Sequence, residues 1–282
     1  MQLGRFELHR VSGGRFRIDG GTMFGVVPRV LWERNFPTDE QHRIAQETNC
    51  VLIQTGTKII LIDTDYGPKL PDKQRQNMAA ENGEPLLVSL KQLGLTADDI
   101  DTVIFSHLHF DHAGGATRLN EAGELVPTFP RAEYIAQRHE WIVAAADYPE
   151  LRGAYPQENL LPLQASGQLR LIDGNIEIRP GIRSMVTGGH TEAHQALVIT
   201  SDGQTAAYLG DICATWRHLP VLWCMGYDVH MRQTRRAKAD LLGLAADEGW
   251  MVFFNHDPEI FGARLKRDSK KDFATVDAWT IG

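Results

Sequence analysis

Cysteine is scarce in this chain: 3 residues in 282, Cys50, Cys213 and Cys224, odd in number and far apart. No disulfide framework and no CxxC zinc site can be built from them. Long apolar runs are also missing. No window approaches the roughly 20 apolar residues that span a bilayer. The first sixteen residues alternate polar and apolar side chains and lack the continuous apolar stretch of a signal peptide. The expectation is a cytoplasmic protein with no membrane partner. A cationic surplus is lacking as well: 29 Lys and Arg stand against 36 Asp and Glu, a formal charge of −7. A general nucleic-acid binder needs a cationic face to release phosphate counterions, so no nucleic-acid partner is expected. Repeats and low-complexity tracts are absent.

What is present is an ordinary globular composition, 43% hydrophobic and 23% charged. That is too apolar for disorder, and a chain of this length buries its core without disulfides. Length alone allows roughly two domains. No linker interrupts the pattern, so a single domain over 1–282 is expected.

Residues 2–11 and 14–19 alternate around Ser12-Gly13 and predict a hairpin, as do 50–55 and 58–64 around Gly56. Helical spacing covers 85–93, and short apolar strands are predicted at 101–105 and 132–136. A helix follows over 137–147, then an irregular excursion from Tyr148 to Ser166. Strands recur at 169–173, 182–187, 196–200, 205–209 and 251–254, with a helix over 234–246. The basic run Arg232, Arg235, Arg236 and Lys238 reads as that helix's solvated side. Residues 20–35 mix turn formers with Met23, Phe24, Val27 and Trp32. Such a loop is tucked into the core, or it lines a pocket or a partner surface.

The chemistry concentrates after the strand 102–105, in His107-Leu108-His109-Phe110-Asp111-His112-Ala113-Gly114-Gly115. Three His and one Asp within six residues supply the N and O ligands that Zn²⁺ and related ions accept. Three later segments repeat the pattern of a strand followed by a ligand. His190 follows 182–186, Asp211 follows 205–209, and His256 follows 251–254. His9, His42, His139, His194, His218 and His230 read as satisfied core or surface groups.

HLHFDHAGG at 107–115, with His190, Asp211 and His256, resembles the HxHxDH motif and later ligands of the metallo-β-lactamase superfamily. The resemblance implies an α/β fold, an αββα sandwich of two mixed β-sheets with helices on the outer faces. It also implies a dinuclear centre of two divalent metal ions, zinc first, with Mn, Fe or Co acceptable to the same donors. By that analogy His107, His109 and His190 hold one ion, Asp111, His112 and His256 hold the other, and Asp211 bridges. Asp63 matches an aspartate that orients ligands from behind, as ligating histidines require.

Within the superfamily the chain most resembles the quorum-quenching lactonases and their organophosphate-hydrolysing relatives. The segments 20–32, 210–215 and 226–228 carry that likeness. The implied activity is metal-dependent hydrolysis of ester bonds. A hydroxide between the metals opens lactones such as N-acyl-homoserine lactones, with Asp111 or Asp211 moving the proton. The alternative is a phosphotriesterase or aryl esterase using the same centre. Many lactonases of this branch carry a tyrosine three residues after the bridging aspartate, where this chain has Ala214. Met23, Phe24, Val27 and Trp32 are candidates for an apolar pocket wall, or else for a strapped-down loop or a homodimer contact. Ala214, Trp216 and His218 are candidates for the opposite wall.

Overall fold

In the computed structural model, which describes residues 1–281, the hairpin expected at Ser12-Gly13 is one uninterrupted strand, Phe6–Asp19. Its glycines serve close approach instead of a turn. A Cβ on Gly13 would lie 2.2 Å from the Asp65 Cβ, and one on Gly14 would lie 2.4 Å from the Tyr66 hydroxyl.

Two mixed seven-stranded sheets are formed. The first runs Gln2–Leu3, Phe6–Asp19, Arg43–Gln54, Ile59–Ile62, Thr102–Ile104, Glu133–Gln137, Leu169–Ile172. Its last four strands are mutually parallel. The second runs Glu177–Arg179, Ile182–Val186, Gln195–Ser201, Gln204–Tyr208, Met251–Phe253, Ile260–Asp268, Asp272–Thr280. Among the described residues of that sheet, only Gln204–Tyr208 and Met251–Phe253 pair in parallel. Contacts divide the chain into two compact units, Met1–Gly14 with Thr48–Ile176, and Arg15–Glu47 with the chain from Glu177 on.

In the first unit Leu52, Leu61, Val103, Phe105 and Tyr134 form the core. The helix Pro85–Gln92 starts with proline, whose missing N–H is harmless in a first turn. It buries Leu86 and Leu90, four residues apart on one face, into that core. The excursion from Tyr148 to Ser166 holds two short helical turns, Gln157–Asn159 and Leu161–Ala165. Parallel strands deliver chemistry at their carboxyl ends: Asp63 follows Ile59–Ile62, and His107 follows Thr102–Ile104.

In the second unit Ala196, Ala207, Leu241, Leu242, Val252 and Phe254 form a core. The parallel pair Gln204–Tyr208 and Met251–Phe253 leads into Asp211 and His256. The helix Met231–Glu248 is longer than expected and ends at Gly249, whose φ of 70° suits glycine. One member of its basic run is corrected: Lys238 is buried, 1% exposed. Its ammonium donates to the carbonyls of His218 and Pro220, at 2.9 and 3.2 Å, and to that of Trp223. Residues 20–35 form two short helices, Gly20–Phe24 and Arg29–Trp32. Met23, Phe24, Val27 and Trp32 are buried in a cluster with Phe36, Ile44, Ala214 and Met225, the tucked-in arrangement. Among the described residues no helix is long and apolar enough to cross a membrane.

Candidate metal centre

The HxHxDH segment leaves its strand through a turn whose hydrogen bonds are local and dense. Asp63 is 1% exposed and sits at φ 60°, a left-handed backbone that aspartate tolerates better than most residues. Its Oδ1 accepts the Ser106 N–H at 2.7 Å, and its Oδ2 accepts the Ser106 hydroxyl at 2.7 Å. The same Oδ2 lies 2.8 Å from His112 Nδ1, which donates to it. The His112 Nε2 is thereby left as a lone pair, the tautomer a metal ligand needs.

His107 Nε2 faces His109 Nδ1 at 3.1 Å. Two ligand atoms at 2.0–2.1 Å from one tetrahedral ion lie about 3.3 Å apart. Two imidazole lone pairs at this distance repel unless a proton or a cation lies between them. The Tyr155 ring packs on His109, centroids 5.0 Å apart, and its hydroxyl donates to Glu140 at 3.3 Å. Glu140 also accepts the Leu108 N–H at 3.1 Å. This brace under the motif gave no sequence signal, because Glu140 and Tyr155 come from a helix and an irregular stretch far along the chain.

The second unit assembles the other expected ligands. His190 Nδ1 donates to Asp228 Oδ1 at 2.8 Å, and His256 Nδ1 donates to the Glu47 carbonyl at 3.0 Å. Both histidines therefore present Nε2 to the same acceptor group. His190 Nε2 lies 3.2 Å from Asp211 Oδ2, and His256 Nε2 lies 3.4 Å from Asp211 Oδ1. A neutral imidazole lone pair aimed at a carboxylate oxygen is unfavourable. A cation between each nitrogen and oxygen removes the conflict, so these residues fit divalent metal. Asp211 is 4% exposed and is held from behind. Its N–H donates to His194 Nε2 at 3.0 Å, and Asn255 Nδ2 donates to its Oδ1 at 2.5 Å. His194, read from sequence as a satisfied core group, is buried directly behind this aspartate. Asp228 and Asn255 were not singled out as positioning groups; the adjacency of Asn255 to His256 was the available signal.

The remaining candidates sit around this half. Ala214 is 1% exposed, and its carbonyl accepts the His256 N–H at 2.9 Å. The His218 ring stacks on Phe24 at 4.7 Å, with Nε2 donating to the Met23 carbonyl at 3.0 Å. Burial, and next the Lys238 charge, push its pKa down to about 3. Trp216 donates its backbone N–H to Asp257 at 3.0 Å, and burial pushes Asp257 up to about 6. Tyr227 stands edge-on to His190, ring centroids 5.8 Å apart, and its hydroxyl meets the Met23 sulfur at 3.1 Å.

Strand-end His and Asp on two mixed sheets define a metal-dependent hydrolase fold. Residues 44–256 match the metallo-beta-lactamase superfamily, and the chain belongs to it. A solved structure of a probable metal-dependent hydrolase from Staphylococcus aureus is 31% identical, with a TM-score of 0.89 over 99% of this chain and 100% of that one. An N-acyl homoserine lactonase of Bacillus thuringiensis is 29% identical over 230 residues, 74% of this chain and 81% of its own length. AidC, a dizinc quorum-quenching lactonase in complex with a product, N-hexanoyl-L-homoserine, has 22% identity and a TM-score of 0.81, covering 100% of this chain and 97% of that one. The fold class expected from the sequence is that of these proteins, and the chain is a hydrolase of a metal-dependent superfamily.

Proposed function

We propose that this protein is a dinuclear metal-dependent lactonase acting on N-acyl-homoserine lactones or similar cyclic esters. The observation that carries the reading is Asp211, whose two oxygens lie 3.2 and 3.4 Å from different imidazole nitrogens, the spacing of a carboxylate shared by two ions. In this reading His107, His109 and His190 hold one ion, Asp111, His112 and His256 hold the other, and Asp211 bridges them. Nitrogen and carboxylate donors without thiolate suit Zn²⁺, and also Mn, Fe or Co. When bound, two such ions supply Lewis acidity and a water acidified towards neutrality.

The chain's own residues supply the rest. Asp63, Asp228 and the Glu47 carbonyl fix the tautomers of His112, His190 and His256, so that three Nε2 atoms stay unprotonated and aimed. Either Asp111, half-buried, or Asp211 accepts a proton and returns it to the leaving alkoxide. No side-chain nucleophile is needed. The Ser106 hydroxyl is engaged by Asp63, and burial pushes the Cys213 thiol up to about 12. The cyclic-ester class is supported by the lactonase relative at 29% identity.

The test is acid release from short- and long-chain acyl-homoserine lactones, with a chelated sample, a phosphotriester and an aryl ester in parallel. Metal-dependent opening of the lactones, faster than either alternative substrate, is expected. A metal-loaded sample that leaves lactones intact but cleaves the phosphotriester or aryl ester would move the assignment to that substrate class.

A further inference from the structure

The Ser106 hydroxyl stands between Asp63 and the first histidine of the HxHxDH segment. Asp63, Ser106 and His107 are each 1% exposed, so their hydrogen-bonding groups are answered inside the protein. Ser106 Oγ lies 2.7 Å from Asp63 Oδ2 and 3.1 Å from His107 Nδ1. A hydroxyl has one proton to give, and an ionised carboxylate only accepts. The Ser106 proton is therefore committed to Asp63, and the oxygen meets His107 with a lone pair. His107 Nδ1 must then carry hydrogen and donate, which makes Nε2 the lone pair. The reverse arrangement, with the hydroxyl donating to His107, would set oxygen lone pairs against the carboxylate at 2.7 Å. His112 Nδ1 is 3.5 Å from the same hydroxyl oxygen, but its own proton goes to Asp63 Oδ2 at 2.8 Å.

The backbone holds this arrangement in place. The Ser106 N–H donates to Asp63 Oδ1 at 2.7 Å, so one carboxylate grips the serine by its main chain and its side chain together. On the far side of the ring, His107 Nε2 faces His109 Nδ1 at 3.1 Å. If the hydroxyl were removed, hydrogen on His107 Nδ1 would lose its acceptor. The other tautomer would then be favoured, with Nε2–H donating to His109 Nδ1. A His107 in that form has no lone pair to offer a metal at Nε2.

We propose that Ser106 is a positioning residue, which relays the hold of Asp63 to His107 and fixes that histidine as the Nδ1–H tautomer. One aspartate thus sets two ligands, His112 by direct contact and His107 through the serine. Those two histidines belong to different ions in the proposed dinuclear centre, so their joint control rests on that reading. The tautomer of His107 does not.

The test is the ring-nitrogen magnetic resonance spectrum of ¹⁵N-histidine-labelled protein after chelation, with Zn²⁺ titrated against a chromophoric chelator in parallel. In the chelated wild type, His107 and His112 are both expected to carry hydrogen on Nδ1. In Ser106→Ala, His107 should move its hydrogen to Nε2 while His112 keeps its own, and one Zn²⁺ should bind at least about 10-fold more weakly. Ser106→Thr, which restores the hydroxyl, should recover both properties. Hydrogen on Nε2 of wild-type His107 would overturn the proposal without any variant. So would a Ser106→Ala protein with the wild-type tautomer or the wild-type Zn²⁺ affinity. A change of His107 and His112 together would also overturn it, because general loosening of the turn spares neither. Nδ1–H on His107 in a protein that holds a single ion would keep the relay and remove the dinuclear reading. Nε2–H in a protein that reloads two ions would remove the relay alone.

Discussion

At the scale of single residues, the chain shows how a histidine's far nitrogen decides what its near nitrogen can do. His190 and His256 point Nε2 at Asp211 only because Asp228 and the Glu47 carbonyl hold their Nδ1–H groups. Asp211→Asn keeps the shape but removes the charge, and its amide N–H₂ would then either donate to an imidazole lone pair, taking an ion's place, or oppose the Asn255 N–H₂. Metal retention and turnover should both fall, turnover by more than about 100-fold, since even outer-shell losses cost 10–100-fold. Metal analysis alongside rates checks this, and full activity would remove the dinuclear reading. His218 makes a second prediction. Its folded pKa, about 3, lies below the ordinary value of 6.5. Between those values the unfolded chain binds more protons, so stability is complete above pH 6.5 and is lost as pH falls through that window, by up to about 1.4 kcal/mol per pH unit. His218→Gln, which can still donate to the Met23 carbonyl, should lower Tm at pH 7 yet flatten its slope between pH 4 and 6. An unchanged slope would show that other groups set the acid limit.

At the scale of elements, glycines and one lysine hold the loops that carry the site. A Cβ on Gly115 would lie 1.9 Å from the Thr64 carbonyl oxygen, so the turn after His112 has no room for a side chain. Gly115→Ala should cost about 1–3 kcal/mol, as overpacking does, and displace Asp111 and His112 enough to weaken metal binding. Metal affinity that stays intact would refute the displacement. Lys238→Met strands carbonyls of His218, Pro220 and Trp223 and should cost about 3 kcal/mol, a Tm loss of roughly 6–12 °C.

The same elements mark what was legible in the sequence. His and Asp placed just past apolar strands were readable, because a short buried strand is a plain apolar run and its ligands follow at once. The role of Lys238 was not: a lysine on a helix reads as solvated until the carbonyls it caps, fifteen to twenty residues upstream, are brought beneath it. The hairpin Ile260–Asp268 with Asp272–Thr280 was passed over for another reason. Its second strand buries only Phe273, so alternation there carries little apolar signal. Ser12-Gly13 reads as a turn because sequence cannot distinguish a glycine that bends from one that, like Gly13, lets Asp65 approach.

At the scale of the whole molecule, the proposed ligands divide four and three between the two compact units, His107, His109, Asp111 and His112 in one, His190, Asp211 and His256 in the other. With the ligand sets proposed above, neither unit supplies all the ligands of either ion, and metal becomes part of the folding free energy. An ion present at 100 times its Kd adds about 2.7 kcal/mol to the native state. For a chain of this size that is a Tm shift of roughly 5–10 °C per ion. Chelation should therefore lower Tm by at least that much. His107→Ala and His190→Ala, ligands of the same proposed ion from different units, should each remove that ion and about half of the chelator shift, and the double variant should lose no more than either alone. Independent metal binding by each unit predicts something different: the two substitutions would remove different ions, and the double variant would bind none. Metal stoichiometry measured with the melting curves separates the two, and a double variant stripped of both ions would break the shared centre on which the lactonase reading depends.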